Sequence, residues 1–213
     1  MWFTKRWQFM SNVKCDSKVP SDNENKIAWC AEGERREEEF IELMNRHTHL
    51  KVSLNPDKHK NKYAPDLIVS GYGLCDLKAV QTPFFLCGRS GFDPYFTITL
   101  NTKDIYRYRE KYPGLTILFW VTWPEGIDGD GRYKPAPYKW AVYEIKMTTI
   151  LEIIDTGLTP YHPYKNRQKF KTKPDMQAKG MDDHGNALGS YFIDVRWMEP
   201  VASSLTPPKL VLT

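Results

Sequence analysis

The sequence lacks the features that mark several large functional classes. In its 213 residues, no apolar run approaches the roughly 18 residues that a membrane-spanning helix needs, so we expect no membrane partner. The N-terminal stretch has no apolar segment of the kind that a secretory signal carries. Neither a Walker-type glycine loop nor a Gly-x-Ser-x-Gly elbow is present, which argues against an NTPase and a serine hydrolase. These absences favour a cytoplasmic or otherwise intracellular protein of another class.

Cysteine is scarce, and its spacing is uninformative. No two of the four cysteines have Cys-x-x-Cys spacing; they are Cys15, Cys30, Cys75 and Cys87. We therefore expect reduced thiols in an intracellular compartment. The hydrophobic content of 41% is nevertheless ample for the core of one globular unit.

Two short apolar runs with acidic residues are the most informative part of the chain. Asp66 opens the first run, a glycine-flanked turn over residues 71–73 follows, and Asp76-Leu77-Lys78 lies in the second run. Runs of this length bounded by glycine predict a β-hairpin. Because residues i and i+2 of a strand share a face, Asp76 and Lys78 should lie together, with Leu77 on the core face. The hairpin should place Asp66 on the neighbouring strand.

This combination of side chains suits hydrolysis of a phosphodiester. Mg²⁺ prefers carboxylate oxygens and keeps several waters, so one or two carboxylates and a substrate phosphate suffice to hold it. Such an ion polarises a phosphoryl oxygen and acidifies water. Lys78 could then orient or deprotonate the water, or offset negative charge on the phosphorus centre. Without a cation, Asp66 and Asp76 would repel each other.

Motifs this short also occur by chance. The chain contains four triplets of an acidic residue, any residue and lysine. Those at 16–18 and 24–26 lie in polar stretches, whereas the triplet at 144–146 ends a predicted half-buried strand and competes with 76–78. Pro-Asp occurs three times, and only Pro65-Asp66 leads directly into a predicted strand. Context, not the triplet itself, favours the hairpin.

A predicted helix over residues 32–46 supplies a third acidic residue. Its apolar stripe includes Phe40 and Met44 at helical spacing. Glu37 lies three positions before Phe40 and seven before Met44, on the buried edge of that stripe, where it needs a partner. An alternative is that every glutamate of the helix belongs to a solvated face. Three others should point more towards solvent: Glu38, Glu39 and Glu42.

Glu37, then Pro65-Asp66, then Asp76-Leu77-Lys78 resemble in order and type the motif of the PD-(D/E)xK nuclease superfamily. The resemblance implies an α/β fold: a restriction-endonuclease-like αβββαβ core with a mixed central sheet flanked by helices. It covers residues 30–123, after an N-terminal arm at 1–29 and before a C-terminal sheet extension with a basic loop at 124–213, all in one globular unit. Further elements are predicted in order: a strand over 51–54, a helix over 102–111, strands over 115–121 and 138–146, a helix over 147–156 and a strand over 190–197.

The resemblance also implies roles for individual residues. Glu37, Asp66 and Asp76 would bind Mg²⁺ or Mn²⁺, the main-chain carbonyl of Leu77 would complete the metal site, and Lys78 would be the catalytic lysine. Some members carry Gln-x-x-x-Tyr on the helix after the motif. The corresponding place here is Thr102 to Tyr106, which has the tyrosine but no glutamine and therefore favours an endonuclease over a processive exonuclease. The scattered cysteines exclude the iron–sulfur cluster of other members.

Basic residues surround these motifs in the sequence. They neutralise phosphates, and the neighbouring aromatic side chains can stack on exposed bases. The alternative is an ordinary set of solvated charges. The residues expected to bind nucleic acid are Lys58, Lys60, Lys62, Arg107, Arg109, Lys165, Arg167, Lys169 and Lys171.

The sequence therefore predicts a Mg²⁺-dependent deoxyribonuclease that hydrolyses DNA phosphodiester bonds, with RNA and a homodimer left open. One alternative is a nuclease fold without catalysis that serves as a nucleic-acid-binding or structural module. Another is a protein-interaction domain in which the four candidate residues form surface ion pairs.

Overall fold

Two β-sheets with flanking helices form the part of the chain that the computed structural model describes, residues 26–123, 139–165 and 172–203. The larger sheet has six strands in the order β1-β2-β3-β5-β6-β9. Only β3 and β5 run parallel, so the sheet is mixed. Its strands are β1 (Val52–Leu54), β2 (Leu67–Val69), β3 (Gly73–Val80), β5 (Thr116–Trp123), β6 (Lys139–Lys146) and β9 (Glu199–Ser203).

The smaller sheet is antiparallel and joins distant parts of the chain. Its strands lie in the order β4 (Thr97–Asn101), β8 (Gly189–Asp194) and β7 (Tyr161–Pro163). Because β4 precedes the middle of the chain and β8 lies near its end, their pairing holds the N-terminal and C-terminal halves together.

Four α-helices and three short 3₁₀ helices complete the described residues. Among these residues, no helix combines the length and the apolar character needed to cross a membrane. The α-helices are α1 (Lys26–His47), α2 (Thr102–Lys111), α3 (Met147–Asp155) and α4 (Pro174–Gln177), and the 3₁₀ helices are Pro56–His59, Phe85–Ser90 and Val195–Trp197.

The large sheet separates two hydrophobic cores. On one face, Phe40 of α1 packs with Leu77 and Trp120. On the other face, Ile105 of α2 and Phe119 belong to a core shared with α3 and the small sheet. Burying each large apolar side chain contributes about 1.5–3 kcal/mol. Leu77 therefore anchors β3 on the α1 face, as predicted, and leaves Asp76 and Lys78 on the other.

The predicted mixed sheet flanked by helices is confirmed, with two corrections in detail. Strand β4 was not predicted; together with β7 and β8 it forms a separate sheet, so only β6 and β9 extend the large one. The strand predicted over 190–197 is too long, because Asp194 Oδ1 accepts a hydrogen bond from Arg196 N at 2.8 Å and starts a 3₁₀ turn.

Gly180 permits a close contact between α2 and the chain beyond α4. Its φ is +68°, and a Cβ built there would lie 2.6 Å from a ring carbon of Tyr106. We expect Gly180→Ala to lower the free energy of unfolding by about 2–4 kcal/mol, combining backbone strain with overpacking. Gly185→Ala is the matched control: its φ is +77° with nothing within 4 Å, so it should cost about 1 kcal/mol. Urea unfolding measures both, and equal losses would contradict the role of Tyr106.

Candidate active site

Asp66 lies where the β2–β3 hairpin comes apart. The last pair of the antiparallel ladder is Leu67 with Cys75, so β3 continues beyond it with β5 on one side only. Asp66 Oδ2 accepts a hydrogen bond from Leu77 N at 3.0 Å. A carboxylate thus takes the place of a strand carbonyl at this open edge. Asp66 therefore lies next to residues 76–78, as the hairpin predicted.

Glu37 reaches the same place from α1. Lys58 Nζ donates to both carboxylate oxygens of Glu37 at 2.7 Å and to Asp66 Oδ1 at 2.6 Å. Glu37 and Asp66 therefore share one cation, and the partner that a buried Glu37 requires is Lys58. Of the glutamates predicted to point to solvent, Glu38 is exposed, as is Glu42, whereas Glu39 is half-buried against Arg36.

The backbone around Lys58 is anchored to the strand that carries Asp66. Asn55 is buried, donates its side-chain amide to Pro65 O at 2.9 Å, and caps the 3₁₀ turn by accepting from Asp57 N. Asn55 N also donates to Asp66 O at 2.9 Å. These bonds place the Lys58 ammonium on the carboxylate pair.

Both Glu37 and Asp76 are held in environments that disfavour their charge. Burial, and then the charge of Asp66, raise the pKa of Glu37 to about 7, while Lys58 opposes the rise. Burial raises the pKa of Asp76 to about 6 despite the opposing charge of Lys78, and Asp66 adds to the rise. A nearby cation stabilises the charged form of clustered carboxylates such as these.

Lys78 belongs to a second charged cluster, formed with α2. Its Nζ lies 2.6 Å from Asp76 Oδ2 and 3.3 Å from Asp104 Oδ2, and it donates to the Tyr108 hydroxyl at 3.3 Å. Arg107 lies behind this cluster, bonded to Asp104 at 2.9 Å and to the Tyr108 hydroxyl at 2.8 Å. Lys78 is thereby held on the same face as Asp76, as the strand period predicted.

The charge state of Lys78 follows from these neighbours. Burial disfavours its charge, but Asp104 and Asp76 outweigh burial and raise the pKa of Lys78 well above its ordinary value. Lys78 and Arg107 likewise overcome burial to lower the pKa of Asp104. Lys78 is a persistent cation in this arrangement, which fits electrostatic stabilisation and water orientation better than abstraction of a proton.

The carboxylates fit a divalent cation only in part. In residues 26–123, 139–165 and 172–203, no group of three or more His, Cys, Asp or Glu side chains is arranged to hold a metal ion. The Lys58 ammonium nevertheless lies between Glu37 and Asp66, where a divalent cation could contact the same oxygens. Because Mg²⁺ needs only one or two protein carboxylates besides water and substrate, this pair matches its donor requirement. Asp76 is turned towards Lys78 instead.

A cleft of about 460 Å³ opens beside these residues. Its lining includes Glu37, Leu77 and Lys78 of the site, and continues along the chain through residues 79–84. Three residues of β4 complete the far wall: Ile98, Thr99 and Asn101. Glu37 and Lys78 thus face a space that can receive a ligand.

No protein-family model, no curated protein and no solved structure matches this chain.

The basic residues predicted to bind nucleic acid are distributed unevenly about this site. Lys58 is held by the carboxylates, and Arg107 by Asp104 and Tyr108. Arg109 pairs with Asp155 of α3 at 2.9 Å, outside the Lys58 and Lys78 clusters. Three lie exposed, namely Lys60, Lys62 and Lys165, whereas Arg167, Lys169 and Lys171 lie outside the described residues.

The competing triplet at 144–146 lies on the opposite face of the large sheet. Glu144 pairs in register with Leu118, and Leu118 with Leu77, so Glu144 faces the α1 side and not Asp76. Burial raises the pKa of Glu144, and a hydrogen bond from Tyr72 opposes that rise. Tertiary placement therefore distinguishes two triplets that look alike in sequence.

Sequence reasoning missed Asp104 and Tyr108. They lie four positions apart on one face of α2 and both contact Lys78, whereas the predicted Thr102 and Tyr106 do not correspond to this face. Thr102 Oγ1 donates to Gly180 O at 2.8 Å, and Tyr106 is 38% exposed. The one usable signal was the i,i+4 spacing of an acidic residue and a tyrosine.

Proposed function

We propose that this protein is a metal-dependent nuclease that hydrolyses DNA phosphodiester bonds, built on a restriction-endonuclease-like core of the PD-(D/E)xK type. The observation that carries the proposal is the meeting of Glu37 and Asp66 on one cation. Asp76 and Lys78 pair beside them, and Glu37 and Lys78 line one cleft. The order α1-β1-β2-β3-α2-β5, with β4 inserted, supports the proposed core.

Each residue has a distinct task in this proposal. Glu37 and Asp66 would hold Mg²⁺ or Mn²⁺, with Asp76 and the Leu77 carbonyl as further oxygen donors. The ion would supply Lewis-acid activation of the phosphodiester and of the attacking water. Lys78 offsets the negative charge that grows on the phosphoryl oxygens and orients the water, because two carboxylates keep it protonated.

Substrate binding is assigned to the cleft and the exposed lysines. Lys60 and Lys62 follow the turn that carries Lys58, so they can contact phosphates flanking the scissile bond. The absence of a glutamine at position 102, four residues before Tyr106, favours an endonuclease over a processive exonuclease. A single site of this kind cuts one strand, so a double-strand cut would require two copies of the chain.

A second candidate function is supported by Lys58 itself. Its ammonium already pairs with Glu37 and Asp66, and Lys78 lies within ion-pair distance of Asp76 and Asp104. In that case the chain would be a nucleic-acid-binding module of the same fold that does not respond to Mg²⁺. Its binding would depend steeply on salt, because phosphate contacts release counterions.

Cleavage of supercoiled plasmid by the wild-type chain tests the proposal. Parallel reactions contain Mg²⁺, Mn²⁺ or excess chelator, and agarose gels separate supercoiled, nicked and linear forms. Nicking that requires the metal supports a nuclease. If the plasmid stays intact in every reaction while the protein is folded and binds DNA, the nuclease proposal fails and the binding module is favoured.

The Lys58→Met variant distinguishes a metal-binding pair of carboxylates, Glu37 and Asp66, from a pair that only forms salt bridges with Lys58. Without metal, the variant leaves Glu37 and Asp66 unpaired, and we expect the free energy of unfolding to fall by about 1–3 kcal/mol. If the pair binds a divalent ion, Mn²⁺ should restore the melting temperature of the variant and raise it more than that of the wild type.

Lys60→Met is the matched control, because Lys60 is exposed on the same turn. It should change the free energy of unfolding by less than about 0.5 kcal/mol and leave the response to Mn²⁺ unaltered. A Lys58→Met protein that Mn²⁺ fails to stabilise would contradict the metal assignment and favour the second candidate.

A further inference from the structure

The cleft beside the candidate site has an aromatic wall that hydrolysis of a phosphodiester does not require. Phe84 lines the cleft and is half-buried. Its ring centroid lies 5.4 Å from that of the buried Phe192, with the two rings tilted. It lies 5.2 Å from that of His162, in an edge-to-face arrangement. Phe84 is therefore fixed by packing while part of its surface faces the cleft.

Polar groups border the same wall. Thr99 and Asn101 of β4 line the cleft with Phe84. The hydroxyl of Tyr164 donates to Asn101 Oδ1 at 3.0 Å, and the Tyr164 ring lies 5.8 Å from His162. The Asn101 amide is thus oriented by a neighbour that leaves its NH₂ group available as a donor.

The distance to the charged residues suits a nucleotide. Phe84 follows Lys78 by six residues, so the two Cα atoms are at most about 20 Å apart. One cleft of about 460 Å³ contains both, a volume typical of a pocket for a single small molecule. A cation at one part of the cleft and an aromatic surface with hydrogen-bonding groups at another match a phosphate and a nucleobase.

We propose that this cleft binds a nucleotide of an unpaired strand, with its base against Phe84, its polar edge towards Thr99 and Asn101, and its phosphate towards Lys78. The inference deepens the proposed function by naming its substrate class as single-stranded nucleic acid or the unpaired part of a duplex. In a duplex, each base is stacked on both sides and paired at its edge, so it cannot enter such a cleft.

Fluorescence anisotropy of labelled oligonucleotides tests this inference, with chelator present so that no metal-dependent cleavage occurs. The probes share one sequence and length: single-stranded DNA, single-stranded RNA, the DNA duplex, and an abasic sugar-phosphate strand. We expect the wild-type chain to bind single-stranded DNA or RNA about tenfold more tightly than the abasic strand, since base–aromatic stacking carries the difference. Whichever of DNA and RNA binds more tightly identifies the source of the base.

Variants locate the effect at Phe84. Phe84→Leu should lose about tenfold in affinity for the single strand and behave like the wild type with the abasic strand, whereas Phe84→Tyr should retain binding. Leu86→Ala is the control, because Leu86 is 48% exposed on the adjacent 3₁₀ helix and does not line the cleft. Melting curves verify folding, and the abasic comparison on the wild type needs no variant.

The outcomes separate this inference from the proposed function. Equal affinity for base-bearing, abasic and duplex probes would overturn the inference, even if the wild type cleaves plasmid. Tight binding to single strands that depends on Phe84 supports it, even if no metal produces cleavage and the nuclease proposal fails.

Discussion

Asp76→Asn should abolish metal-dependent cleavage while leaving the fold intact. Asp76 is 3% exposed, and burial and nearby carboxylates disfavour its negative charge. A buried carboxylate in such an environment is typical of a functional site, here one that holds a cation. The amide has nearly the same shape but no charge, so it is a much weaker ligand for a hard cation. We expect nicking of supercoiled plasmid in Mn²⁺ or Mg²⁺ to fall at least about 100-fold.

Folding and binding should respond differently from cleavage in that variant. Asp76→Asn removes a charge that is unfavourable where it lies, so the melting temperature should change little, and affinity for nucleic acid should be largely retained. Glu144→Gln is the matched control, because it neutralises the acidic residue of the other triplet on the opposite face of the sheet. Full activity of Asp76→Asn, or equal loss in Glu144→Gln, would refute the site assignment.

Lys78→Met should reduce cleavage by about 100- to 1,000-fold, the effect typical of removing one group that stabilises transition-state charge. Its persistent positive charge comes from Asp76 and Asp104, at 2.6 and 3.3 Å. Single-turnover plasmid nicking at saturating metal measures the loss. Lys146→Met is the control, since Lys146 is the exposed lysine of the other triplet.

Loss of Lys78 also leaves two buried carboxylates without their shared cation. The single variant should therefore lose about 3 kcal/mol of unfolding free energy. Arg107 still pairs with Asp104 in the single variant, so adding Asp104→Asn relieves only the repulsion between Asp104 and Asp76. The double variant should therefore recover part of the stability without recovering activity. Cleavage that returns together with stability in the double variant would show that Lys78 acts through structure and not on the reaction.

Prediction from the sequence worked where local periodicity and packing agree. The alternation in β3 places Leu77 in the core and Asp76 with Lys78 on the other face, and helical spacing places Glu37 at the edge of a buried stripe. Strand β4 escaped prediction because its pairing partner, β8, lies about ninety residues later in the chain. A short segment of this kind is defined by a distant neighbour and not by its own pattern.

Partner choice among charged side chains was beyond local reasoning. Lys58 was expected to hold phosphate, yet the Asn55 cap directs its ammonium onto Glu37 and Asp66. Asp104 joins Lys78 because α2 packs beside β3, a contact that no short motif encodes. Arg109 was expected to bind nucleic acid, whereas in the structure it forms a salt bridge with Asp155 of α3.

The sequence by itself determined the mixed α/β character, the β2–β3 hairpin and the faces on which its charged residues lie, because these follow from strand and helix periodicity. Only the tertiary structure decided which carboxylate shares which cation, that the triplet at 144–146 faces away, and that Phe84 and Asn101 line a cleft with Lys78. The physical reason is distance along the chain: periodicity acts over a few residues, whereas ion pairs and clefts are made by elements brought together when the two cores form.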